Sequence, residues 1–125
     1  MKAFDSGSAT LAPEFGILSG RWDQYAKTGE LPELPFDAMW VVVPPGGRSN
    51  EDCHPELELS VVVGGSATFE SPSGQVDASA GTAVLMDSSE RHVIHNKSTE
   101  SPLVILSIYW MPVNPENAVE AGDGE

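Results

Sequence analysis

Residues of types that bind metals or move protons recur at every second position in one stretch, DCHPELE: Asp52, His54, Glu56 and Glu58. An extended chain alternates its side chains, so these share one face while Cys53, Pro55 and Leu57 take the other. Beyond Glu58 the same run turns apolar through Leu59, Val61 and Val63, so Glu58 stands where the chain enters a core. A buried carboxylate there costs several kcal/mol unless a cation or strong hydrogen bonds compensate it, and a metal ion does so economically. A second group of polar candidates comes in GTAVLMDSSERHVIHN, where His92 follows the turn signal DSSE and Asn96 shares its parity, while His95 has the opposite one. If the two segments meet at the open end of a barrel, Asp52, His54, Glu58 and His92 offer two nitrogens and up to two oxygens. That donor set suits Fe(II), Mn(II) or Zn(II). A second reading stays open at this point: carboxylates ahead of a strand also solvate an exposed edge, and a strand histidine is ordinarily a surface or hydrogen-bonded group.

The elements that would position these residues are strands. From residue 36 to 111 the chain is a series of short Val-, Ile-, Leu- and aromatic-rich runs: FDAMWVVV, LELSVVV, SATFES, GQVDAS, TAVLMD, RHVIHN and LVILSIYWM. PPGG, GG, SPSG, SAG, DSSE and KSTESP punctuate them as turns, and no helical period persists. Even spacing of this kind predicts an all-β barrel or double-sheet sandwich. Before it, in residues 1–35, FGILSGRWDQYA reads as an outer strand and KTGELPELP as a proline-bearing connector packing on the barrel of residues 36–113. Residues 114–125, from Asn114, are acidic and aperiodic and read as a loose tail. In LVILSIYWM nearly every position is apolar, which predicts either a strand covered on both faces or one face, with Ile108 and Trp110, meeting a second copy in a homodimer.

With 125 residues the chain is the size of one domain. Six basic against nineteen acidic residues give a formal charge of −13, which repels phosphate backbones and anionic lipid and argues against nucleic-acid and membrane partners. No apolar run approaches the ~20 residues of a membrane helix. A single cysteine permits no internal disulfide, and the N-terminal residues lack the apolar core of a signal peptide, so the expected location is the reducing cytoplasm. Cys53 itself is expected on the outer face as a small packing residue. Met39, Trp40 and Tyr109 default to core packing, with Tyr109 also within possible reach of a pocket on the last strand.

At the two polar segments the sequence resembles the cupin superfamily. Gly46, Asp52, His54, Glu58 and Gly65 fall in the register of its first motif, which runs glycine, histidine, histidine, glutamate, glycine, and here only the first histidine is replaced, by Asp52. Gly81, Asp87, Ser89, His92 and Asn96 fall in the register of the second, with Asp87 and Ser89 in place of its turn-forming proline and glycine. The resemblance spans residues 46 to 96. It implies a double-stranded β-helix, or jelly-roll barrel, with one divalent transition metal per chain, Fe2+ first and Zn2+ or Mn2+ as alternatives. It implies His54, Glu58 and His92 as ligands, and Asp52 either as a fourth ligand or as a catalytic base beside an open coordination position. Glu56 is expected at the rim and His95 facing away. Arg48, Glu56 and Tyr109 are the candidates for holding substrate; Arg91 near the mouth reads first as a solvated turn residue.

Because this barrel carries many chemistries, fold does not fix function. The expected activity is that of a metal-dependent enzyme on a small organic molecule, first a dioxygenase. The alternatives are a non-redox cyclase, isomerase, lyase or rearrangement catalyst, a metabolite-binding protein without turnover, and an assembly subunit.

Overall fold

The computed structural model describes residues 1–113; the acidic tail foreseen from Asn114 lies outside the described residues. Among the described residues, nine strands run in chain order as β1 (Ala12–Glu14), β2 (Ile17–Arg21), β3 (Asp37–Val43), β4 (Leu57–Gly64), β5 (Ser66–Ser71), β6 (Gly74–Ser79), β7 (Ala83–Met86), β8 (Val93–Asn96) and β9 (Leu103–Trp110). A short helix, α1, covers Asp23–Lys27. The strands form two antiparallel sheets, a six-stranded one in the order β1-β2-β3-β9-β4-β7 and a three-stranded one in the order β6-β5-β8. This is the jelly-roll sandwich that the sequence predicts. Each of the seven runs named from sequence becomes one strand, from β3 to β9. Among the described residues, no helix is long and apolar enough to cross a membrane.

The core lies between the sheets. Ile17, Val41, Val43, Val62, Leu103 and Ile105 from the larger sheet meet Ala67, Phe69, Ala78 and Ile94 from the smaller, with Met86 closing one side. Fully burying a Val, Leu or Ile side chain contributes about 1.5–3 kcal/mol, so the alternate positions of β3 and β9 do much to hold the sheets together. At the β4–β5 turn the fold demands glycine: Gly65 has φ +91°, and a Cβ there would lie 2.8 Å from the Pro102 carbonyl oxygen.

Register decides what faces the interior. Val41 pairs with Ile105, Met39 and Ser60 each pair with Ser107, Arg21 pairs with Met39, and Tyr109 pairs with both Asp37 and Glu58. One end of the inner face is therefore apolar, and the other carries Arg21, Met39, Ser107, Ser60, Tyr109 and Glu58 in adjacent rows. On the outer face, Trp40 is buried under Trp22, and its indole N–H donates to the Tyr25 hydroxyl at 3.0 Å. Val104, Leu106, Ile108 and Trp110 also point outward from β9, half-buried.

Two N-terminal elements differ from the sequence reading. The outer strand ends at Arg21 and gives way to α1, whose five residues are too few for a helical period to show. What holds this segment is aromatic packing of Phe4, Trp22 and Tyr25 on the sheet. The other, β1, carries Pro13 and was not expected; it is an edge strand, where a missing N–H costs the ladder nothing.

Candidate metal centre

The two polar segments are tied together by backbone. Asp52 and His92 form an antiparallel bridge, each N–H donating to the other's carbonyl at 3.0 Å. Directly paired residues send their side chains to the same face, so this bridge alone brings Asp52 beside His92. Glu58 arrives from β4, four residues after His54, and is buried, with its side chain 6% exposed. His54 and His92 meet edge to face with ring centres 5.2 Å apart.

The hydrogen bonds fix how the rings present themselves. His54 Nδ1 lies 3.1 Å from the Glu56 carbonyl, and His92 Nδ1 lies 2.9 Å from the Glu90 carbonyl. A carbonyl only accepts, so both Nδ1 atoms carry the proton and both Nε2 atoms face the site with whatever they bind there. His54 Nε2 is 2.9 Å from Glu58 Oε1 and 3.9 Å from Asp52 Oδ2, and His92 Nε2 is 3.9 Å from Glu58 Oε1. Two lone pairs at 2.9 Å repel; the contact between His54 Nε2 and Glu58 Oε1 needs a proton or a cation in it. Glu58 Oε2 is occupied separately, accepting from Ser60 Oγ at 3.1 Å and Ser107 Oγ at 2.9 Å. Both serines are fully buried, so they direct the carboxylate and leave Oε1 to the site.

The donors fit a divalent transition ion. Asp52, His54 and His92 each offer a ligand atom, all within 4.8 Å of one another. Metal–ligand bonds of about 2.1 Å put neighbouring donors about 3 Å apart and opposite ones about 4.2 Å apart, so a pair near the upper limit closes by about 0.6 Å if its donors are opposite and by about 1.8 Å if they are neighbours. Glu58 Oε1, at 2.9 and 3.9 Å from the two imidazoles, already has such spacings. Two imidazoles and two carboxylates are a borderline set that suits iron, manganese or zinc.

A cavity of about 170 Å3 lies over this cluster, lined by Asp52, His54, Glu56 and Glu58 with Met39, Phe15, Arg21 and Tyr109. Glu56 sits at its rim, with Oε1 3.6 Å from His54 Nδ1. Tyr109 lines the cavity, where core packing was the default reading, and burial pushes its phenol above its ordinary value. Arg48 is the exception among the candidates for holding substrate. It bridges His95 on the far parity of β8 and does not line the cavity. There His95 bonds Glu70 at 2.8 Å, and this hydrogen bond, with the more distant Arg48 charge adding to it, holds the Glu70 carboxyl below its usual range. Cys53 also departs from expectation: it is exposed rather than packed, its Sγ 3.5 Å from the Ser89 carbonyl.

Three contributors escaped the sequence reading. Ser60 and Ser107 interrupt otherwise apolar strands, and Ser60 shares parity with Glu58, a signal that was available. Arg21 comes from the N-terminal strand, and only the β2–β3 register places it on the cavity face.

Comparison with known proteins agrees with this fold. The family model for the cupin domain matches residues 39–109, and the chain belongs to that family. Among solved structures, a Cupin 2 conserved barrel domain protein from Salinispora arenicola superposes with a TM-score of 0.71 at 24% identity, covering 88% of each chain. A protein from Photorhabdus luminescens gives 0.73 at 19% identity over 96% of this chain and 92% of its own. A predicted oxalate decarboxylase from Thermotoga maritima gives 0.71 at 18% identity over 89% of this chain and all (100%) of its own. At these identities the likeness is one of fold.

Proposed function

We propose that this cupin is a metal-dependent enzyme acting on a small organic molecule. The observation that carries the reading is the pair of Nδ1–H groups pinned to backbone carbonyls, which leaves two Nε2 atoms converging with Glu58 Oε1 and Asp52. His54, His92 and Glu58 would hold the ion, with Asp52 as a fourth donor or as a base. A bound divalent ion supplies Lewis acidity or, if iron, activation of dioxygen. The chain's own residues do the rest. Ser60 and Ser107 keep Glu58 from swinging away. Asp52 has Oδ1 bonded to the Cys53 N–H at 2.9 Å, while Oδ2 is directed toward the imidazoles, where it can take up a proton. Met39 and Phe15 give the cavity an apolar wall that limits water.

Dioxygenation by an Fe(II) form is the first reading, and a non-redox lyase, isomerase or cyclase with Zn(II) or Mn(II) is the alternative. The small cavity suits compact substrates, and the Thermotoga maritima protein of the same fold is a predicted oxalate decarboxylase, whose named substrate is a compact acid. Oxygen-electrode assays on Fe(II)-, Mn(II)- and Zn(II)-loaded protein with diketone, aromatic and dicarboxylate substrates separate the two. Metal-dependent oxygen uptake supports dioxygenation. Product formation without uptake assigns the non-redox class, and absence of turnover with every metal removes the enzyme reading. An exposed, unpaired Cys53 is compatible with the reducing cytoplasm as the proposed location.

A further inference from the structure

Among the described residues lining the metal cavity, Arg21 is the one with a permanent positive charge, set against Asp52, Glu56 and Glu58. Its guanidinium is fixed on two sides. One Nη donates to Glu14 Oε2 at 2.7 Å, and the other donates to the Tyr109 hydroxyl at 2.9 Å. Glu14 is itself held by the Ser19 hydroxyl at 2.6 Å, so the arginine is braced rather than loose. A guanidinium has five N–H donors, and these two bonds leave the others for a ligand. Tyr109 accepts from Arg21, and its own O–H remains to donate.

The cavity therefore has two chemically distinct ends. One end, with Asp52, His54 and Glu58, offers acceptors suited to a cation; the other, with Arg21 and Tyr109, offers donors suited to an anion. A molecule spanning both presents oxygen donors to the metal and a carboxylate to the arginine. A cavity near 150 Å3 holds a molecule of benzene's size, so about 170 Å3 admits a substrate of roughly six to eight non-hydrogen atoms. A second cleft, of about 550 Å3 under the Leu31–Phe36 connector, shares Arg21, Glu56 and Tyr109 with the first and gives an approach past this pair.

We propose that Arg21 and Tyr109 anchor a carboxylate of the substrate, so that the site takes small chelating acids, such as dicarboxylates or oxo acids, in preference to neutral chelators. The inference rests on the metal-site reading above. The test uses the full chain loaded with Zn(II), which avoids turnover with dioxygen, and calorimetric titration with malonate and with acetylacetone. These two compact chelators are alike in size, but only malonate presents outer carboxylate oxygens.

Arg21→Met is expected to weaken malonate by about tenfold to a hundredfold, the effect of losing a charge-assisted hydrogen-bonded pair, and to leave acetylacetone within about twofold. Arg21→Lys, which keeps the charge without the fork, falls between, and Tyr109→Phe weakens malonate by about threefold to tenfold. Should Arg21→Met not fold, those two milder variants carry the same comparison. Zinc content is measured on every variant. Unchanged malonate affinity in a variant that retains its zinc overturns the anchor while the metal site stands, as does an equal loss for both chelators. A wild-type chain that takes up no zinc removes the metal site and this inference with it.

Discussion

Ser107→Ala is the substitution that most sharply probes how the site is built. Ser107 is fully buried on the central strand, and its hydroxyl donates to Glu58 Oε2 at 2.9 Å. Ser60 donates to the same oxygen at 3.1 Å, and the two serine oxygens are themselves 3.1 Å apart. Each hydroxyl has one proton, so when both are directed at Glu58 the serine–serine contact is not a bond, and the carboxylate is what satisfies them. Removing one donor from a buried charged acceptor costs about 1.5–3 kcal/mol. We take about 2 kcal/mol, which for a domain of this size lowers Tm by roughly 8 °C. The freed carboxylate also loses its fixed direction, and loss of such a supporting hydrogen bond lowers metal affinity by about tenfold to a hundredfold.

Urea unfolding with chelator present gives the first quantity, and competition against a chromophoric chelator gives the second. In a Glu58→Gln background the acceptor is neutral, so Ser107→Ala then costs about 1 kcal/mol and the double-mutant cycle closes with a coupling of about 1 kcal/mol. A Ser107→Ala protein within about 0.5 kcal/mol of wild type, with unchanged zinc affinity, would refute the claim that the serines direct Glu58.

Two further outcomes follow from other parts of the molecule. The Glu14 carboxyl is held below the ordinary carboxylate range, first by the Ser19 hydroxyl and then by Arg21, against an opposing effect of burial. Its folded pKa is thus lower than its unfolded one, so its stabilisation is present above the unfolded value and is lost as pH falls through the folded value; in urea titrations at about pH 6 and about pH 3 Glu14→Gln should lose less stability on acidification than wild type. On the outer face of the larger sheet, Val104, Leu106, Ile108 and Trp110 adjoin Val61 and Leu59 of β4, with Leu85 of β7 56% exposed beside them. Two chains of formal charge −13 repel except across an uncharged face. We therefore expect a homodimer through this sheet, which Leu85→Asp converts to monomer by light scattering without loss of fold; a monomeric wild type removes the expectation.

How much of this was legible in the sequence depends on which interactions make each part. The strands from β3 onward were readable because alternation and turn residues are local signals; LVILSIYWM predicted either a strand covered on both faces or a face for a second copy, and its outward residues stand half-buried. The convergence of Asp52, His54, Glu58 and His92 was readable from parity together with the cupin resemblance. Arg21 was not, because its place on the cavity face depends on a strand pairing between residues far apart in sequence. Arg48 misled for the same reason: nearness in sequence to the first motif says nothing about which side of β8 it bridges. Helix α1 and strand β1 were invisible because each is shorter than the window in which a period can be counted.

The central claim is that His54 and His92 present their Nε2 atoms to one metal ion held with Glu58. Titration of metal-free protein with Zn(II), followed by calorimetry, tests it most directly. The account predicts about one ion per chain, with affinity reduced by more than about a hundredfold in His54→Ala and in His92→Ala while both variants remain folded. A wild-type protein that binds no zinc, or variants that bind it as tightly as wild type, would contradict it.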